Sequence, residues 1–94
     1  MIQFTEQDVK RFLLNHYSDM IAANGLDPAA LDDDFDLLRS GVLDSLGVLE
    51  MISAVEQHFK VTVDFEPMDP SELTLLGKFS RFVANNAVGS RGES

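Results

Sequence analysis

Apolar residues recur at spacings of three and four in three stretches of this chain, and each stretch predicts an amphipathic helix. In the first, Val9, Phe12, Leu13, Tyr17, Met20 and Ile21 share one face from Glu6 onward. Thr5 with Asp8 three residues later is a capping-box variant at its start, and Phe4 is placed to staple onto the first turns. Asn24-Gly25 supplies a left-handed stop. In the second stretch, Val48, Met51, Ile52, Val55 and Phe59 form the inward stripe of a helix from Ser45 to about His58, with Leu46 and Leu49 on the flank nearer solvent. In the last, Thr74 is placed to cap a helix whose stripe of Leu75, Phe79, Phe82 and Val83 faces the core, fraying at Asn85-Asn86.

The connections are less regular. Residues 26–43 form a long loop, in which Asp27-Pro28 opens a short turn through Leu31. Its apolar residues predict that it lies over the bundle, anchored by Phe35 and Leu38. Val61-Thr62-Val63 has strand-like alternation, but no second strand is evident to pair it, so an extended linker is expected. Asp69-Pro70-Ser71-Glu72-Leu73 reads as one short helical turn with proline at its first position. The expected fold is all-α: a small four-helix bundle of three main helices plus a short one, over residues 1–87, with 88–94 as a disordered tail.

Composition narrows the chemistry. At 94 residues and 45% hydrophobic, the chain has one small domain's worth of core. It has no cysteine, which excludes disulfides, thiolate metal sites and cysteine nucleophiles and fits a reducing cytoplasm, the expected location. No apolar run approaches a membrane span, and charges interleave the first 20 residues, so neither a spanning segment nor a secretory signal is read. The formal net charge is −9, and it is concentrated: residues 27–50 hold Asp27, Asp32, Asp33, Asp34, Asp36, Asp44 and Glu50 against Arg39 alone. Such a field repels nucleic acid and anionic membranes and steers basic protein surfaces.

Several catalytic arrangements fail on inspection. Asp32, Asp34 and Asp36 mimic the start of a calcium loop, but Leu37 and Leu43 stand where the glycine and the bidentate glutamate are required, so no metal site is expected. His16 and His58 have no ligand-like spacing, and a structural or solvent-facing role is expected of both. Ser45 has Asp44 beside it but no histidine or lysine nearby to serve as base, and nothing predicts an enzyme. Ser45 stands where the loop becomes a helix. A phosphate attached there would sit in the favourable field of the helix N-terminus. Leu46 and Leu49 offer an incoming enzyme apolar contact, with Asp44, Glu50 and Glu56 as polar rim. The same face would also suit a non-covalent acidic helical adaptor.

Gly41-Val42-Leu43-Asp44-Ser45-Leu46, followed by a helix running to Glu56-Gln57-His58-Phe59-Lys60-Val61, resembles the acyl and peptidyl carrier proteins. The resemblance covers roughly residues 6–87. It implies that Ser45 receives 4′-phosphopantetheine from coenzyme A through a separate phosphopantetheinyl transferase, and that the arm carries an acyl or aminoacyl group as a thioester. It also implies that Asp44 helps position the transferase's metal and substrate, and that Leu46, Leu49, Glu50 and Glu56 face partners. Those partners would be a loading ligase and a downstream synthase or acyltransferase, with the carrier itself non-catalytic and monomeric. Gly47 and Gln57 replace residues that are often acidic in fatty-acid carriers. The wording is closer to specialised freestanding carriers of lipid, polyketide, or D-alanyl and other aminoacyl metabolism. An acyl chain would enter between the second and last helices, beside Met51, Ile52, Val55, Phe79 and Phe82; the simpler account is that these residues fill the core. Aromatics such as Phe59 leave less room, which favours short or polar cargo.

Overall fold

Thr5 begins the first helix by the reciprocal bonds its capping box requires. Its hydroxyl accepts the Asp8 amide at 3.3 Å, and Asp8 Oδ2 accepts the Thr5 amide at 2.9 Å. In this computed structural model, which describes residues 4–89, the helix α1 spans Glu6–His16 and a second helix, α2, spans Ser18–Ala23. The single long helix expected here is bent at Tyr17, yet the ladder persists: Tyr17 N–H donates to Leu13 O at 3.0 Å and Ile21 N–H to Tyr17 O at 2.9 Å. The buried stripe explains the bend. Val9, Leu13, Tyr17 and Ile21 repeat every fourth residue, and in a straight helix each step drifts about 40° around the axis. The bend cancels that drift and keeps all four against the core, leaving Met20 46% exposed, contrary to the expected stripe. Gly25, at φ +77, ends α2: Leu26 N–H reaches Ile21 O at 3.2 Å and Gly25 N–H reaches Ala22 O at 3.0 Å. A 3-10 turn at Pro28–Ala30 follows, capped by Asp27 Oδ1 on the Ala29 amide.

The helix α3 runs Ser45–Phe59 and buries Val48, Met51 and Val55, with Ile52 and Phe59 half-buried at its edges. Lys60 ends it in the left-handed conformation, at φ 57. Strand β1 (Val61–Thr62) then pairs antiparallel with β2 (Val88–Gly89), Val61 opposite Gly89 and Thr62 opposite Val88. The segment expected to be an unpaired linker is therefore a strand, and its partner comes from residues expected to be tail. Residues 90–94, the rest of that expected tail, lie outside the described residues. The last helix, α4, spans Leu76–Asn86 and buries Leu76, Phe79, Ser80 and Val83. Leu75 and Phe82 sit half-buried on its margins, one step off the expected stripe. Asp69–Leu73 makes overlapping three-residue turns, not a helix, with Asp69 Oδ1 accepting the amide and hydroxyl of Ser71 at 2.9 Å.

The fold is a small all-α bundle whose short helix is α2. Met51, Val55 and Phe79 are fully buried, so they fill the space between α3 and α4. Both histidines stack on one ring: Phe12 lies 5.2 Å from His16 and 4.2 Å from His58, centroid to centroid. Phe4, expected to staple locally, instead stacks on Phe59 at 4.4 Å. These contacts lock α1 to the far end of α3.

The long loop is built onto α4. Leu76 N–H donates to Phe35 O and Gly77 N–H to Asp33 O, both at 2.9 Å, while Leu37 N–H donates to Thr74 O at 2.9 Å. Loop carbonyls thus satisfy the first amides of α4, and the expected Thr74 cap is replaced: the N-cap is Leu75, with no side-chain cap bond. The anchors also differ from expectation. Leu37, Val42 and Leu43 are buried, Phe35 is half-buried and Leu38 is 39% exposed, because Asp36 Oδ1 gathers the amides of Leu38 and Arg39 into a turn that points Leu38 outward. Gly77 makes the docking possible. A Cβ there would overlap the Asp33 side chain and come within 2.9 Å of Asp33 Cα.

Gly77→Ala is expected to lower stability by about 1–3 kcal/mol, as overpacking does, measured as a drop in the denaturant midpoint at constant slope. The loop also carries a pH dependence. Partial burial of Asp36 opposes ionisation, but the Arg39 amide, the Thr74 hydroxyl and the Leu38 amide outweigh it, holding the carboxyl below its ordinary range. A depressed folded-state value means that the unfolded chain takes up the proton first. This contribution is therefore full above the ordinary aspartate range and is lost as pH falls through the lowered value. Asp36→Asn is expected to flatten the acid limb of the stability–pH curve relative to the parent chain.

Candidate functional site

The loop delivers the chain to α3 through Gly41, whose φ of +88 few side-chain-bearing residues tolerate, and through Val42 and Leu43, which plug into the core. Asp44 follows in extended conformation as the N-cap: its Oδ1 accepts the Gly47 amide at 2.7 Å, and its carbonyl accepts the Val48 amide at 3.0 Å. Asp44 does the capping, and Ser45, the first residue of the helix, is exposed with a hydroxyl that makes no hydrogen bond among the described residues. Of the first three helical amides, only that of Gly47 is taken by a side chain, leaving those of Ser45 and Leu46 facing outward. A phosphodiester on Ser45 would meet free amides and the positive end of the helix.

Around Ser45, Leu46 and Leu49 are 65% and 64% exposed, far above the rest of the apolar residues of α3. With exposed Asp44 and Glu50, they form one continuous face at the start of the helix. Glu56 does not join them. It sits about three turns along the helix, half-buried, and its Oε2 accepts the Val63 amide at 3.0 Å, which ties α3 to β1. Gly47, which the sequence suggested only as a missing side chain, has a packing role: a Cβ there would lie 3.2 Å from Asp44 Oδ1 and 3.3 Å from Leu43 Cδ2. The acidic loop residues also bond locally. Asp33 Oδ1 meets Lys10 Nζ at 2.8 Å, an exposed pair whose hydrogen bond and charge lower the Asp33 pKa, and Asp32 Oδ1 accepts the Asp34 amide at 3.1 Å.

One feature escaped the sequence altogether. On the α2 side of Ser45 lies an open groove of about 420 Å³, whose lining includes Tyr17, Met20, Leu43, Asp44, Leu46 and Glu50. Tyr17 and Met20 were legible only as members of an apolar stripe; the bend between α1 and α2 is what turns them toward α3.

Asp44→Ala is expected to cost about 1 kcal/mol through the lost cap, read as a lower thermal midpoint, whereas Asp44→Asn is expected to retain most of that stability.

The chain has relatives among known proteins. Over 36 residues it is 42% identical to the D-alanyl carrier protein of Bacillus licheniformis, an alignment covering 38% of this chain and 46% of that relative. The chain therefore spans about half the length of the curated relative it matches. No solved structure matches. The family model described as the phosphopantetheine attachment site matches residues 19–73, more than half of the chain and inclusive of the loop, the Asp44-Ser45 junction and all of α3. The chain belongs to this family of carrier proteins, whose prosthetic group is a 4′-phosphopantetheine attached covalently to a serine.

Proposed function

We propose that Ser45 is the serine that carries the arm, and that the protein holds an acyl or aminoacyl group on it as a thioester for presentation to separate enzymes. One observation carries the assignment. The matched region contains Ser40, Ser45, Ser53 and Ser71. Ser40 Oγ donates to Leu37 O at 3.2 Å, Ser53 Oγ accepts from Gln57 Nε2 at 3.1 Å, and Ser71 Oγ donates to Asp69 Oδ1 at 2.9 Å. Ser45 alone among them has an exposed hydroxyl with no hydrogen bond among the described residues, and it alone begins a helix.

Modification joins Ser45 Oγ to the phosphorus of the pantetheine phosphate of coenzyme A. The serine proton is lost to the transferase, the pyrophosphate P–O bond of coenzyme A breaks, and adenosine 3′,5′-bisphosphate departs. This chain supplies the hydroxyl, the field of the α3 N-terminus and the Asp44 carboxylate beside it. No histidine or lysine hydrogen-bonds Ser45 among the described residues; in this reading the transferase supplies the base and the Mg²⁺, and the carrier is non-catalytic. Leu46, Leu49 and Glu50 form the docking face for the transferase, a loading ligase and a downstream synthase or acyltransferase, while Glu56 contributes through the geometry of α3. The clustered negative charge steers those enzymes through basic surfaces. Similarity to a protein named for D-alanyl carriage, together with a core filled by Met51, Val55 and Phe79, supports an aminoacyl or other short cargo over a long acyl chain. Monomeric, cytoplasmic action completes this reading; among the described residues no helix is long and apolar enough to cross a membrane.

Intact-mass measurement after incubation with coenzyme A and a broad-specificity phosphopantetheinyl transferase tests the assignment. The parent chain, Ser40→Ala and Ser53→Ala are expected to gain one phosphopantetheine, and Ser45→Ala none. Absence of the gain in the parent, with a transferase that modifies a control carrier, would overturn it and leave a non-covalent acidic adaptor.

A further inference from the structure

We infer that the groove on the α2 side of Ser45 is a berth for the loaded end of the arm, shaped for a short cargo that bears an ammonium group. The inference rests on Ser45 being the attachment point. Val42 and Leu43 floor the groove, with Met20 and Leu46, 46% and 65% exposed, beside them. Two carboxylates, Asp44 and Glu50, line it, and no lysine, arginine or histidine does. Gly47 contributes the open stretch of wall between them.

Tyr17 gives the groove its chemical direction. Its side chain is only 7% exposed, yet its hydroxyl makes no hydrogen bond among the described residues. No fully buried polar side-chain atom there lacks a partner, so this hydroxyl is reached from solvent, and Tyr17 lines the groove. Burial first, and the Glu50 charge second, raise its pKa, so it stays a protonated donor. An O–H with no acceptor among the described residues, on an otherwise buried side chain and beside a carboxylate, suits a ligand with an acceptor oxygen next to a positive charge. An aminoacyl thioester has both: the carbonyl oxygen for Tyr17 and the ammonium for Glu50, with a small side chain against Met20 and Leu46. A saturated acyl thioester offers Tyr17 the same carbonyl but sets methylenes against two carboxylates, where the ammonium would be paired.

Size and reach agree. About 420 Å³ suits the end of a pantetheine chain with a small amino acid. Glu50 lies five residues beyond Ser45, about 7.5 Å along the helix, a distance the pantetheine chain exceeds when extended, so it can fold back to it.

The test loads Ser45 with amide-linked alanyl-pantetheine or propionyl-pantetheine, verifies each by intact mass, and compares ¹H–¹⁵N spectra. The two cargoes share the same three-carbon skeleton and differ only in the ammonium. The alanyl form is expected to shift the amides of Tyr17, Met20, Gly47 and Glu50 away from their propionyl positions, and Glu50→Gln or Tyr17→Phe to abolish much of that difference. Coincident spectra in fully loaded protein, or a difference that survives Glu50→Gln intact, would overturn the berth alone. Movement of these amides only when the transferase is added would also overturn it, making the groove a seat for a partner's basic side chain. A chain that takes up no arm defeats the attachment reading, and the berth with it.

Discussion

The contact on which the rest depends is the docking of the long loop on the first turn of α4. Two loop carbonyls, of Asp33 and Phe35, accept the amides of Gly77 and Leu76, and Leu37 N–H returns a bond to Thr74 O. A helix start that lacks a side-chain cap is thereby satisfied, and a loop that would otherwise expose Leu37 and Phe35 is held against the bundle. The absence of a side chain at Gly77 is the geometric condition for it. With the loop pinned, Val42 and Leu43 reach the core, and the direction in which the chain enters α3 is set.

That direction separates two tasks usually shared at a helix start. Asp44 satisfies the free Gly47 amide, which leaves the neighbouring hydroxyl unengaged and outward. The surrounding face combines exposed leucines with acids, a composition suited to transient association with several enzymes in turn: enough apolar area to hold, enough charge to steer and release.

Much of this was legible locally. The capping box at Thr5, the turn at Asp27-Pro28, the position of Ser45 at the loop–helix junction and most members of the three helical stripes depend on neighbouring residues, and the structure bears them out, Met20, Leu75 and Phe82 being the exceptions among the stripes. What escaped depends on residues distant in sequence. Thr74 looked like the cap of α4 because the carbonyls that do that work come from the other side of the fold. Val61-Thr62 looked unpaired because its partner is two residues beyond the last helix, too short to register as a strand. Leu38 and Leu37 are equally apolar; only the turn gathered by Asp36 decides which one points inward. The two histidines share no spacing, yet α1 and α3 bring both onto Phe12.

The two ends of α3 are unlike in construction. At Phe59 the helix is gripped by a pile of rings, Phe4 on Phe59 and His58 on Phe12, joined by a strand pair through Val61. At Ser45 it is held by one carboxylate and the loop. Backbone amides should therefore exchange with water through brief local opening near the serine, and only through cooperative unfolding near the rings. Under the proposed function, enzymes acting on an arm at Ser45 would load the more easily opened end while the clamped end keeps the domain intact.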